Sequence, residues 1–226
     1  MIRLQKAEPP KILQQNAAEW TRVLHDHVAA GTRPTDVEKT RYRHADIKIA
    51  LVKETAGKCA YCESKLRHVT YGDVEHIVPK SVEPEKAFEW SNLTLACDVC
   101  NTNKGTHFGN HEDLVDPYQM EPSEHLVFLG AVVLAKPGSG PGIATVGTLD
   151  LNRIELLERR AERLTSLNRQ LHLLVEVVDG NKRGVFRRDL EVNELAKDKE
   201  YVAMARSYVG AELKRIDSLS GERGST

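Results

Sequence analysis

Residues 57–105 read GKCAYCESKLRHVTYGDVEHIVPKSVEPEKAFEWSNLTLACDVCNTNKG, and this stretch decides the fold. It holds every cysteine of the chain, in two Cys-x-x-Cys pairs: Cys59 with Cys62, and Cys97 with Cys100. The 34 residues between the inner cysteines exceed a zinc-ribbon spacer and leave room for a strand, a loop and a turn. Four thiolates in two close pairs suit one tetrahedral zinc. A full sulfur shell leaves no open position, so that zinc is expected to be structural. The rival reading is buried free cysteines, and the polar neighbours of both pairs weigh against it.

Between the pairs runs Asp73-Val74-Glu75-His76-Ile77-Val78-Pro79. Its alternation predicts a short strand over 72–78 that ends at Pro79, then a loop over 80–89. A helix is predicted from near Cys97 to about Gly109. His76 is the candidate general base, since a neutral imidazole can take a proton from water. Glu75 and Asn101 offer hard oxygens that suit Mg²⁺ or Mn²⁺ rather than zinc. Strand neighbours point to opposite faces, so Glu75 and His76 share a site only if the strand end bends. Alone, a Glu-His pair is commonly surface decoration. A metal-held frame around acid, histidine and asparagine points to a metal-dependent nuclease.

Working outward, residues 11–30 carry Ile12, Leu13, Ala17, Trp20, Val23 and Leu24 at helical spacing, closed by Gly31 and Pro34. Thr35 can cap a second helix through Ile47, Leu51 and Val52 to Gly57. Residues 126–134 and 143–149 read as two strands joined by the Gly- and Pro-rich KPGSGPG. Asp150 or Asn152 then caps a long helix. Its seam is Ile154, Leu157, Ala161, Leu164, Asn168, Leu171, Val175 and Val178, at 3-4 spacing. That seam packs either on its own domain or on a partner, and 171–178 also reads as strand. Residues 220–226 are expected to be disordered. The expected architecture is α+β. A helical segment (1–50) precedes a zinc-stapled domain (51–118), and a hairpin plus helices (119–226) follows, suited to partner docking.

With 226 residues, 40% of them hydrophobic, and no apolar run of membrane-spanning length, the chain reads as a cytoplasmic globular protein without a membrane partner. There thiols stay reduced, and paired cysteines read as metal ligands first. The net charge of -1 is uneven. Residues 51–118 carry 7 Lys/Arg against 11 Asp/Glu, as a cation site would. Basic clusters lie outside: Lys39, Arg41, Arg43 and Lys48 before, Lys182, Arg183, Arg187 and Arg188 after. These are either phosphate contacts or solvated surface.

VEHIVPKS followed by WSNLTLACDVCNTNKG resembles the HNH endonuclease motif with its zinc-binding cysteine pairs. The resemblance covers 57–105 and implies a ββα-metal unit clasping one divalent cation. It implies His76 as base and Asn92 as the residue that shapes the loop through backbone contacts. Asn101 falls on the third motif position and Glu75 on the acid beside the histidine. A wider resemblance reaches LVDPY, after CAYCES, EHIVPKS and the Trp90-x-Asn92-Leu93 step. It is to the PtuB-like HNH subunit of Septu-type antiphage systems, found also with some retrons. That likeness implies a DNA substrate and a complex with an ABC-type, structural-maintenance-type ATPase; the chain itself has no GxxxxGK[ST].

Lys104 reads as a phosphate contact or a surface lysine, and Asp73 as a carboxylate orienting His76. His107 and His111 are alternative ligands. Asp116 reads as a turn cap, and His68 and His125 as structural or solvated. Tyr61 and Phe108 read as packing. Two rival functions stay open: a catalytically silent zinc module that only binds, and a standalone restriction or homing nuclease.

Overall fold

A computed structural model of the chain describes residues 1–66, 72–109, 113–177 and 179–222. The strand read before Pro79 forms as β1 (Asp73–His76) and pairs antiparallel with β2 (Leu93–Ala96), Glu75 facing Thr94 and His76 facing Leu93. Both strands are short because Pro79 and the Cys97 knuckle bound them. Helix α4 (Asp98–Lys104) follows at once, capped by Cys97, and the chain leaves it at Gly105, whose φ is +51°. Two strands and a helix thus fold as the resemblance implies, and the mixed helical and strand class holds.

Before this unit come α1 (Lys11–Ala29), α2 (Asp36–Thr40) and α3 (Ala45–Glu54). Thr35 caps as read, in a capping box with Glu38. The single helix expected to Gly57 is instead broken by a 3₁₀ turn at Arg41–Arg43, where His44 leaves the helical conformation and accepts from Asp46 N–H.

After the unit, a short helix α5 (Pro122–His125) leads to β3 (Leu126–Leu129) and β4 (Val132–Ala135). The hairpin turns at Gly130, φ +59°, and not at KPGSGPG. The expected strand over 143–149 is helix α6 (Gly140–Thr148). Ser139 accepts from Gly142 N–H at 2.9 Å, and Pro141 sits in the first turn. Gly142 packs so tightly that a Cβ there would lie 2.4 Å from the His125 carbonyl. Hairpin side chains alternate: Leu126 and Val133 are buried, while Val127, Leu129, Val132 and Leu134 stand exposed on the other face.

Helix α7 (Ile154–Glu176) starts without a side-chain cap. Asn152 instead clasps the backbone of Val133, accepting from its N–H at 2.9 Å and donating to its carbonyl at 2.8 Å. The helical reading of 171–176 holds; Val178 lies outside the described residues. The expected seam is not the buried stripe. Leu156, Arg160, Leu167, Leu171 and Leu174 are buried, while Ile154 and Val175 are exposed. Both stripes have helical spacing; Arg160 hides the choice, because periodicity assigns a charge to the surface. The residue is 2% exposed, its guanidinium donating to Leu151 O at 2.7 Å and Ala131 O at 3.2 Å. After α8 (Gly180–Asp189) and a π turn over Leu190–Glu194, α9 (Val202–Glu222) packs back on α7 through Val209 and Leu213. The expected disorder of the tail does not begin at 220, since α9 runs to Glu222; 223–226 lie outside the described residues.

One buried cluster gathers Ile47, Leu51, Leu93, Leu95, Leu149, Leu151 and Met204, so all three segments share it. No helix among the described residues is long and apolar enough to cross a membrane.

Candidate metal centre and active site

Gly57, at φ +71°, turns the chain from α3 into the first knuckle, and a bridge between Lys58 and Lys65 closes it. Ala60 N–H donates to Leu95 O at 2.9 Å and ties the knuckle to β2. The second knuckle is the start of α4, where Cys97 Sγ accepts from Cys100 N–H at 3.3 Å. The four sulfurs are buried and lie within 4.8 Å of one another. Zinc–sulfur bonds of about 2.3 Å put tetrahedral sulfurs about 3.8 Å apart; Cys62 and Cys97 stand 3.9 Å apart. No disulfide links them. The donor set therefore fits zinc. Without a cation four crowded thiolates repel. Burial and the neighbouring sulfurs push Cys59 well up, while hydrogen bonds from Cys100, Cys59 and Cys97 hold Cys62 well down.

Arg153 brings a positive charge from the C-terminal segment, its Nη2 3.7 Å from Cys100 Sγ and 3.9 Å from Cys97 Sγ. With a divalent ion bound, it would offset part of the excess negative charge of four thiolates. Ser64 lies 3.3 Å from Cys62 Sγ and 3.0 Å from the Tyr201 hydroxyl. Lys58 caps the carbonyls of Lys197 and Lys199 at 2.6 and 2.9 Å, and Glu63 accepts from Ala203 N–H at 3.3 Å. The knuckle is thus locked to the start of α9. Tyr61 is packing, as read, although its buried hydroxyl has no hydrogen-bond partner among the described residues.

Opposite faces of β1 send its side chains apart. Asp73 and Glu75 face α4. Glu75 Oε1 meets Lys104 Nζ at 2.7 Å, and Asn101 Nδ2 donates to Asp73 Oδ2 at 3.2 Å. Burial pushes the Glu75 carboxyl up, against the pull of Lys104. Lys104 is neither a phosphate contact nor a surface residue here: it is 3% exposed and also donates to His76 O at 2.7 Å.

His76 points the other way. Its Nε2 lies 3.0 Å from Ala87 O. A carbonyl only accepts, so Nε2 carries the proton and Nδ1 keeps the lone pair. The Tyr42 ring meets the imidazole edge-on, centroids 4.5 Å apart. Burial, with the charges of Lys80, Lys104 and Arg43, lowers the His76 pKa to about 4, so the ring is neutral near pH 7. Asn92 is buried and shapes the loop through the backbone: it accepts from Val78 N–H at 2.7 Å and donates to Val78 O and Lys86 O at 3.0 and 3.1 Å.

Asp73 sits beside Asn101, not His76. Asp116 caps its turn by accepting from Tyr118 N–H at 2.8 Å, and His125 meets Ser139 at 2.9 Å in a structural role. His68 and His111 lie outside the described residues.

The family model of the HNH endonucleases matches residues 59–107, from the first knuckle cysteine past the end of α4. This segment is an HNH domain. The chain is 36% identical to Septu protein PtuB of Bacillus thuringiensis over 112 residues, 49% of this chain and 43% of that relative. The matched length is therefore less than half of that protein. A second Septu protein PtuB, of Bacillus mycoides strain KBAB4, is 27% identical over a 237-residue alignment, covering 88% of this chain and 79% of that relative. The likeness to PtuB proteins extends well beyond the HNH domain.

Sequence reading missed Tyr42 and Lys80 beside the HNH histidine. Lys80 donates to the Tyr42 hydroxyl at 2.6 Å, its ammonium 4.2 Å from the ring centroid, and Arg43 lies 5.6 Å from the same ring. Both cations flank the Tyr42 ring that meets the His76 imidazole. Replacing both Arg43 and Lys80 with Ala should lower the slope of log affinity for DNA against log salt by about 2, one per lost phosphate contact. Fluorescence anisotropy across a salt series measures that slope; an unchanged value would place the DNA elsewhere.

Proposed function

We propose that this chain is a Mg²⁺- or Mn²⁺-dependent endonuclease that cleaves DNA phosphodiester bonds. We place it as the nuclease subunit of an antiphage complex with an ABC-type ATPase. The observation that carries the reading is a neutral His76, held through Nε2, on the strand end of an HNH domain whose four cysteines fit a zinc staple. A bound divalent cation would supply stabilisation of charge developing on the phosphate and the leaving 3′ oxygen. Asn101, with a carboxylate of the same β1 face, would hold it.

His76 takes the proton of the attacking water at Nδ1. Ala87 keeps the ring in the required tautomer, and the Tyr42 edge limits its rotation. Asn92 fixes the loop that carries Ala87 through its bond to Lys86 O. Arg43 and Lys80 meet neighbouring phosphates. The products expected are a 5′ phosphate and a 3′ hydroxyl.

The names of the PtuB relatives support the Septu setting; the ATPase partner rests on the sequence resemblance to the PtuB-like subunit alone. For docking, the exposed apolar face of the hairpin stands beside the α7 seam, of which Leu164 packs on the core while Ile154 and Val175 stay exposed. The direct test is plasmid cleavage by the zinc-loaded chain, alone and with the ATPase subunit, in Mg²⁺ and in EDTA. Cutting in Mg²⁺ and none in EDTA is expected. No cutting under any of these conditions favours a silent binding module.

A further inference from the structure

The β1 face toward α4 carries two carboxylates, and their surroundings differ. Glu75 is closed off from water and already paired: its side chain is 7% exposed, the Lys104 side chain 3%, and their charged atoms lie 2.7 Å apart. Magnesium sheds water reluctantly and keeps several waters in sites built from one or two carboxylates and substrate phosphates. A buried carboxylate that an ammonium already neutralises does not suit it. Adding a divalent cation would place like charges together in a medium that screens them weakly. Removing Lys104 from Glu75 would instead leave a buried ammonium unpaired.

Asp73 has the opposite character. It is exposed, and it makes no ion pair among the described residues. Its Oδ2 lies 3.2 Å from the amide of Asn101, the residue on the third HNH position. Magnesium–oxygen bonds of about 2.0–2.1 Å put neighbouring oxygens of an octahedral shell about 3 Å apart. The two side chains are already at that spacing. Beside a bare carboxylate the Asn101 amide presents its NH₂; turned over, it presents its oxygen at the same place. Asn101 is partly exposed, and the side-chain hydrogen bond it makes among the described residues is the one to Asp73.

Strand and helix periodicity explain the two pairings. Asp73 and Glu75 are two apart on the strand, Asn101 and Lys104 three apart on the helix, so the rungs align as Asp73–Asn101 and Glu75–Lys104. The outer rung is wet and the inner one dry. Lys104 also holds the His76 carbonyl, so the inner rung fastens the strand end to α4.

We infer that Asp73, not Glu75, is the carboxylate that holds the divalent cation with Asn101, and that Glu75 with Lys104 is a structural pair. The inference rests on the reading of this chain as a metal-dependent nuclease. Its test is Mn²⁺ binding by the zinc-loaded full chain, read from the loss of the free-ion electron paramagnetic resonance signal. Asp73→Ala should weaken Mn²⁺ binding at least about tenfold while zinc content and melting temperature stay near wild type. Glu75→Gln should leave Mn²⁺ affinity near wild type. If that variant folds poorly, the double variant Glu75→Gln with Lys104→Met leaves no charge unpaired and answers the same question. Unchanged Mn²⁺ affinity in Asp73→Ala overturns the inference, as does undetectable binding by wild type. Cleavage assayed in parallel separates the two readings. A chain that binds Mn²⁺ through Asp73 yet cuts nothing keeps the inference and sinks the nuclease reading. A chain that cuts in Mg²⁺ while Asp73→Ala binds Mn²⁺ normally does the reverse.

Discussion

His76→Ala should cut DNA about 10²–10⁴-fold more slowly than wild type, the usual contribution of a positioned general base. Deleting the ring removes the group that the HNH resemblance assigns to the water proton, a neutral imidazole held at Nε2 by Ala87 O. The cost to folding should be smaller than for a core residue of that size. The imidazole gives up one hydrogen bond, to Ala87 O, and one ring contact, to Tyr42. A single-turnover assay at saturating Mg²⁺ isolates the chemical step, and zinc content with a melting curve checks the fold. A variant that cleaves at the wild-type rate would mean the base lies elsewhere.

Cys97→Ser should lose zinc and the folded state together. Structural zinc contributes about 10–16 kcal/mol in small zinc-finger peptides, as much as the whole stability of a typical domain. Cys97 also caps α4, a task that serine performs well, so the loss expected in this variant is that of the metal bond and not of the cap. Purified wild type should carry one zinc per chain by elemental analysis, resistant to mild chelation. Acid should release it, because protons compete for the thiolates. A zinc-free Cys97→Ser protein that melts like wild type would show that the thiol cluster contributes nothing to stability.

Much of the site was legible because its chemistry is local. The Cys-x-x-Cys spacing and the strand before Pro79 follow from residues a few positions apart, while the loop-shaping role of Asn92 came from the HNH resemblance. What stayed hidden depends on contacts across the chain. Nothing local marks Lys104 as buried; the Asp-x-Glu of β1 set against the Asn-x-x-Lys of α4 was the available signal. Arg153 reaches the thiolates from 53 positions beyond Cys100. Arg160 defeats the periodicity of α7 because a buried guanidinium needs carbonyls from two other segments. The missed helix α6 had a local signal, Ser139 ahead of Gly-Pro, which was read as a turn.

The lock between the first knuckle and the start of α9 bears on how this chain can be taken apart. Its motif fills only residues 59–107, which invites excision as a minimal cutter for grafting onto other binding proteins. Such a fragment would lose Lys58 itself, and would strip Glu63 of the Ala203 N–H, Ser64 of Tyr201 and the thiolates of Arg153. It would also bare the core leucines of β2. The segment that matches the HNH family is therefore not a detachable cassette. Its smallest transplantable form includes α9, and fusions belong on exposed loops rather than at the edges of the motif.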